Sequence, residues 1–108
     1  MQSPLPAKEL RSGVILLLTN QRDTIKDKFH VRRIGIFGSV IREEERDDSD
    51  VDILVGFEHG QATLRNYMSL RRYIQSLFKR EVDLVTTGSL SPYIRPYVER
   101  EVIWVAER

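Results

Sequence analysis

Apolar and polar residues follow two different spacings along this chain, and these spacings divide it into alternating helices and strands. Residues 7–28 carry apolar side chains three and four positions apart, the period of a helix with one buried side. Residues 31–37 include Ile34, Ile36 and other residues that favour strands, which predicts a short buried strand. The same patterns predict further helices at 40–46, 61–79 and 91–99, and further strands at 50–57, 81–85 and 101–105.

The predicted order is a helix followed by a strand, four times over. This alternation is typical of an α/β (α+β) domain, here a small mixed sheet of about four strands flanked by helices. The last strand is expected at an edge of the sheet, because charged residues flank its apolar run EVIWV. With 108 residues, the chain is expected to form a single domain, residues 1–108, around one modest core.

The first predicted helix carries more apolar residues than a single buried stripe requires. Leu16 and its apolar neighbours are therefore expected either to be buried on two sides or to contact a partner helix. The predicted stripe itself consists of Leu10, Val14, Leu17, Leu18, Gln21 and Ile25.

Composition narrows the class of protein. Hydrophobic residues make up 41% of the chain and charged residues 31%, which is typical of a folded globular domain. The chain has no cysteine, which excludes disulfides and thiolate metal sites and fits the cytoplasm, where we expect the protein. A formal net charge of +1 gives no bulk attraction to nucleic acid, so no direct nucleic-acid partner is expected. The apolar run at 14–18 is too short to span a membrane, so no membrane partner is expected either.

Two aspartates, Asp50 and Asp52, lie two residues apart at the start of a predicted strand. Alternate residues of a strand point to the same face, so both carboxylates are expected side by side, with Val51 and Ile53 facing the core. Adjacent carboxylates repel each other unless a cation lies between them. The pair therefore predicts a site for Mg²⁺ or Mn²⁺, which prefer carboxylate and phosphate oxygens.

Gly38 and Ser39 come directly after the first predicted strand and predict a phosphate site. Glycine permits a positive φ and lets the backbone approach a ligand closely. A helix that starts at Ser39 presents free N–H groups and a hydroxyl donor to an anion. Arg42, one turn later, is placed to reach the same phosphates.

Asp83 is a third carboxylate, between Val82 and Leu84 in an otherwise apolar predicted strand. Burying a charge there without a partner is costly, which suggests that the position serves a purpose. If this strand pairs beside that of Asp50 and Asp52, the three carboxylates are able to hold two metal ions.

The combination of these motifs resembles the DNA polymerase β-like nucleotidyltransferase superfamily. Gly38-Ser39 is followed, after ten residues, by Asp50-Val51-Asp52 and later by the single acidic Asp83, which is the pattern of that superfamily. The tail VDLVTTGSLSPYIRPYVEREVIWV is similar to its small bacterial and archaeal subgroup, the minimal nucleotidyltransferases. Ile41 departs from relatives that have a small or polar residue there.

The resemblance implies a function and roles for the residues that match the motif. Members of the subgroup commonly act as antitoxins paired with an all-helical HEPN ribonuclease, so the chain is expected to transfer AMP from ATP to a tyrosine of such a toxin and release pyrophosphate. The expected metal ligands and catalytic residues, for two Mg²⁺ ions or Mn²⁺, are Asp50, Asp52 and Asp83, and the expected nucleotide-binding residues are Gly38, Ser39 and Arg42.

Other functions stay open at this point. The chain could be an antitoxin that inhibits the toxin by occlusion, with a vestigial nucleotide site. It could also be a nucleotidyltransferase for small molecules or RNA that works with a separate helical subunit. A cluster near the C-terminus fits either a short helix with core and surface positions or a protein interface, which is rich in such side chains: Tyr93, Arg95, Pro96 and Tyr97.

Overall fold

A computed structural model describes residues 7–42 and 50–107 of the chain, and it contains the predicted order of helices and strands. The helices are α1 (Ala7–Phe29), α2 (Ser39–Arg42), α3 (Leu64–Phe78) and α4 (Arg95–Glu101). The strands are β1 (Val31–Phe37), β2 (Val51–Phe57), β3 (Val82–Thr86) and β4 (Ile103–Ala106). A single 3₁₀ turn, Thr87–Ser89, follows β3.

The four strands form one mixed sheet in the order β3-β2-β1-β4. β1 lies antiparallel to both β2 and β4, whereas β2 and β3 are parallel. A parallel pair needs a crossover connection, and α3 provides it between β2 and β3. The predicted α/β (α+β) fold is thus confirmed, and β4 occupies an edge as its flanking charges indicated.

The hydrophobic core lies between one face of the sheet and the helices α1 and α3. Alternate residues of β2 supply the centre of this core, because side chains at every second position point to the same face. The core residues of β2 are Val51, Ile53 and Val55, and those of the two helices are Leu10, Val14, Leu18, Ile25, Phe29, Leu70 and Ile74.

The predicted buried stripe of α1 was wrong at one position. Leu17 is 37% exposed, because the buried line runs through Val14, Leu18 and Ile25, and Leu17 lies about 100° around the helix from Leu18. Leu16 is 60% exposed, so burial on two sides is excluded for it within this chain, and contact with a partner stays a prediction.

The other face of the sheet carries the acidic residues. Asp52 pairs in register with Phe37 of β1 and with Asp83 of β3. Residues paired in register share a face, and Asp52 alternates with Val51 and Ile53, which point into the core. We call the surface that contains Phe37, Asp52 and Asp83 the carboxylate face.

Side chains of α3 cover the free edge of the sheet at β3. The hydroxyl of Tyr67 donates to the carbonyl oxygen of Leu84 at 2.6 Å, and Arg71 Nε donates to that of Val82 at 3.4 Å. These two residues are four apart and therefore lie on the same side of α3. Carbonyls at a sheet edge otherwise invite pairing with another chain, so these contacts fix β3, and with it Asp83, against the domain.

Several boundaries differ from those predicted. Asp50 lies just before β2 instead of within it, and the predicted helix at 40–46 is described only to Arg42, its remainder being outside the described residues. The last helix starts at Arg95 and not at Ser91, because residues 92–94 form a turn, and Pro96 is the proline in its first turn.

α3 begins later than its apolar pattern suggested because Thr63 caps it. The Thr63 side chain accepts a hydrogen bond from the Asn66 backbone N–H, which fixes the start of the helix at Leu64. Across the described parts of the chain, none of the helices is long and apolar enough to traverse a lipid bilayer.

Two leucines of α1 test the position of the core. We expect Leu18→Ala to lower the free energy of unfolding by about 3 kcal/mol, because Leu18 is fully buried and its loss leaves a cavity. The matched variant Leu16→Ala should change it by less than about 0.5 kcal/mol. Urea denaturation measures both values, and similar losses in the two variants would place the core elsewhere.

Candidate active site

The turn after β1 brings the backbone against a carboxylate of β2. Gly38 has a φ of +79°, in the left-handed region, and α2 starts at the next residue. A Cβ atom added at Gly38 would lie 2.0 Å from Asp52 Oδ2 and 2.8 Å from its Cγ. Both the backbone conformation and the available space therefore require glycine at this position.

Asp52 is the most strongly perturbed carboxyl group that the structure describes. Its pKa is raised from 3.8 to about 6, chiefly by burial, and further by the charges of Asp83 and Asp50. A hydrogen bond from the backbone N–H of Ser39 and the positive charge of Arg42 act in the opposite direction. Asp52 is thus held in a negatively charged environment that a bound cation would relieve.

The other two aspartates lie beside Asp52 at the same end of the sheet. Asp83 is its register partner on the parallel strand β3, and Asp50 precedes β2 by one residue. Both are exposed to solvent, so the expectation that the charge of Asp83 is buried at a cost was wrong. The reason is that Val82 and Leu84 point into the core while Asp83 points away from it.

This set of oxygen donors fits Mg²⁺ or Mn²⁺. The charges of Asp50 and Asp83 both raise the pKa of Asp52, so a cation nearby would stabilise the ionised carboxylates. Mg²⁺ and Mn²⁺ are hard cations that prefer such ligands. Within residues 7–42 and 50–107, no three acidic or histidine side chains already converge as metal ligands would. Mutual repulsion between the carboxylates is a cost that a bound cation would offset.

The proposed phosphate-binding residues lie on the other side of Asp52. The Ser39 N–H group is engaged by Asp52, so it is not one of the free donors that the sequence predicted at this turn. The described part of α2 is a single turn, too short for a strong helix dipole. The guanidinium of Arg42 is half-exposed and donates from Nη1 to Oε1 of Glu101.

Glu101 is a residue of this site that sequence reasoning missed. It is separated from Arg42 by 59 positions, and its own surroundings in the sequence look like an ordinary charged helix end. The pairing of β1 with β4 brings the two together, which only the register of the sheet reveals.

The C-terminal aromatic cluster is not part of the core. Tyr93 is 86% exposed and Tyr97 is 70% exposed, and Ile94 between them is also exposed. Both tyrosines therefore occupy surface positions, Tyr93 in the turn before α4 and Tyr97 within α4. Their role in an interface stays a prediction.

Comparison with known proteins identifies the family. The family model described as nucleotidyltransferase domain matches residues 18–105. The chain belongs to the nucleotidyltransferase family. Protein adenylyltransferase MntA of Thermococcus cleftensis is 43% identical to this nucleotidyltransferase over 89 residues, which cover 82% of this chain and 89% of that protein.

Solved structures place this nucleotidyltransferase among the minimal members of the family. A structure described as a minimal nucleotidyltransferase is 34% identical, has a TM-score of 0.73, and the match covers 94% of this chain and 98% of that chain. A second structure, of a tri-AMPylated HEPN toxin from Shewanella oneidensis in complex with an MNT antitoxin, matches with 20% identity and a TM-score of 0.63, over 87% of this chain and 73% of that chain. The second likeness shows a shared fold. The predicted family and enzyme class are thus confirmed, whereas the roles of individual residues stay predictions.

Two glycines with positive φ test the contact between Gly38 and Asp52. Gly38→Ala and Gly60→Ala both incur a backbone penalty of about 1 kcal/mol, since φ is +79° and +77°. Only Gly38→Ala also meets Asp52, because the space around Gly60 is open. We expect Gly38→Ala to lose nucleotidyl transfer and about 1 kcal/mol more stability than Gly60→Ala. Equal activity in the two variants would contradict the contact.

The raised pKa of Asp52 predicts a stability that falls with rising pH in the absence of metal. Between about pH 4 and pH 6, folded Asp52 is protonated while the unfolded group is ionised, so the folded state binds more protons and loses stability as pH rises. We expect Asp52→Asn to melt at a higher temperature than wild type at pH 8 in a chelator, and to lose this advantage near pH 4. Thermal unfolding at both pH values measures the difference in melting temperature between the variant and wild type, with exposed Glu58→Gln as the control. An Asp52→Asn variant less stable than wild type at pH 8 would contradict the assignment.

Proposed function

We propose that this nucleotidyltransferase is an antitoxin that transfers AMP from ATP to a tyrosine hydroxyl of a HEPN-family toxin, with release of pyrophosphate. One observation carries the proposal: the register of the sheet sets Asp52 beside Asp83 on the carboxylate face, next to the Gly38 turn. Carboxylates next to a phosphate-binding turn are the groups that nucleotidyl transfer requires, because the reaction is catalysed mainly by positioning and charge stabilisation.

Two or three carboxylates of this chain would hold the metal ions. Asp52, at the centre, and Asp50 and Asp83, at its sides, offer the oxygen ligands that Mg²⁺ prefers. When bound, the metal supplies positive charge that favours deprotonation of the attacking hydroxyl and offsets charge on the leaving pyrophosphate. The carboxylates therefore orient both reacting groups without forming a covalent bond themselves.

The nucleotide would bind between the Gly38 turn and Arg42. Gly38 keeps this turn close to Asp52, so a triphosphate held by the turn lies beside the carboxylates. The Ser39 hydroxyl would donate to phosphate oxygens, and Arg42 would add positive charge on the same side. The α-phosphate is thereby presented to the carboxylate face, where the acceptor hydroxyl has to approach.

The acceptor is proposed from the relatives. MntA of Thermococcus cleftensis is a protein adenylyltransferase by name, and the Shewanella oneidensis complex joins an antitoxin to an AMPylated HEPN toxin. Asp83 and Asp50 are exposed, so the carboxylate face is open to a partner protein at the point where transfer would occur. A HEPN-family toxin that presents a tyrosine is therefore the partner we propose.

Incubation with a purified HEPN-family toxin from the same organism, ATP and Mg²⁺ tests the proposal. We expect the intact mass of the toxin to rise by multiples of AMP on a tyrosine, and its ribonuclease activity to fall. Asp52→Asn and Asp83→Asn should each reduce the rate of modification by about 10²-fold or more, the scale for losing a group that stabilises transition-state charge. The exposed Asp23 of α1, changed to Asn, serves as the matched control.

The same samples distinguish catalysis from occlusion. If the toxin is inhibited equally by wild type and Asp52→Asn, and equally with and without ATP, then the chain acts by binding and the proposed transfer is wrong. Modification of RNA or of a small molecule in place of the toxin would contradict the proposed acceptor.

A further inference from the structure

The end of α4 meets the end of α2 next to the candidate active site. Ile36 of β1 pairs with Ile103 of β4, and the strands run antiparallel. Glu101 is the last residue of α4, two residues before β4 begins, and Gly38 directly follows β1, so both lie at the same end of this strand pair. Arg42 Nη1 donates to Glu101 Oε1 across this junction.

The charge of Arg42 acts on the centre of the site. It is one of the two influences that lower the pKa of Asp52. The backbone N–H of Arg42 donates to the carbonyl oxygen of Gly38 at 3.1 Å, and its side chain is about half-exposed. Glu101 is more deeply placed, with 22% of its side chain accessible, so it is the more fixed member of the pair.

A fixed acceptor matters because arginine is long and flexible. A half-exposed arginine samples many rotamers, and ordering it when it binds a ligand costs side-chain entropy. A carboxylate that already holds one nitrogen of the guanidinium removes part of this cost before the nucleotide binds.

We propose that Glu101 is a positioning residue that holds Arg42 in the orientation required to bind the triphosphate of the nucleotide. The inference rests on the proposed function, since it takes the Gly38 turn and Arg42 as the triphosphate site. Glu101 itself does not touch the reacting atoms. Its effect is transmitted through Arg42, and this distinguishes it from a residue that merely stabilises α4.

α4 offers a matched control for Glu101. Glu99, two residues earlier on the same helix, also faces an arginine, Arg95, at 3.9 Å. That pair is half-exposed on both sides and lies within α4 itself, so it has no link to Arg42. Replacing Glu99 removes the same chemical group from the same helix without affecting the arginine of the site.

Steady-state kinetics of AMP transfer tests the proposal. We expect Glu101→Ala to raise the KM for ATP about tenfold with a much smaller change in kcat, because a ground-state contact to the triphosphate is weakened. Glu101→Gln keeps an acceptor oxygen and should recover part of the loss. Glu99→Ala should leave both constants at the wild-type values. Circular dichroism melting of each variant establishes that the fold is retained.

A double-mutant cycle separates positioning from a structural role. If Glu101 acts through Arg42, Glu101→Ala should add nothing to the effect of Arg42→Ala on the KM for ATP. Additive effects, or a KM for Glu101→Ala that is unchanged or lower than that of wild type, would overturn the proposal while wild type remains active. If wild type neither binds nor transfers the nucleotide, then the proposed function fails and this inference fails with it.

Discussion

The approach of the Gly38 backbone to the Asp52 carboxylate is the contact on which the rest of the site depends. It leaves no room for a side chain at position 38, since even one added carbon at Gly38 would lie 2.0 Å from Asp52 Oδ2. The antiparallel pairing of β1 with β2 creates this approach, because Phe37 and Asp52 are register partners and the turn follows immediately. A phosphate held by the turn, as we propose, would thus have a fixed position relative to the Asp52 carboxylate.

The electrostatics of the site lower the free energy of unfolding of the domain when no cation is bound. Burial and the neighbouring carboxylates disfavour ionised Asp52, and the Ser39 N–H and Arg42 compensate only in part. The hydrophobic core between the sheet and the helices α1 and α3 lies on the opposite face and provides the compensating stability. At the end of the sheet where Asp52 lies, one face therefore packs in the core and the other holds unfavourable charge, whereas Leu54, on the same face as Asp52, is fully buried further along β2.

Much of this arrangement could be predicted from the sequence because it depends on local periodicity. The spacing of Val51 and Ile53 indicated the core face of β2, and the motifs at Gly38 and Asp52 indicated the two segments that the sheet brings together. The exact ends of elements could not be predicted, because they depend on caps such as Thr63 and on the turn before α4. The contact of Arg42 with Glu101 could not be predicted either, since it arises from strand pairing between distant segments and leaves no local pattern.

The position of β4 at the edge next to β1 has a consequence for the order in which the site is completed during synthesis. Glu101 is synthesised 59 residues after Arg42 but only 18 residues after Asp83, which at usual rates of translation corresponds to roughly 1 to 4 seconds. Asp50, Asp52 and Asp83 therefore all precede Glu101 in synthesis. The partner of Arg42 is the last of these side chains that translation adds.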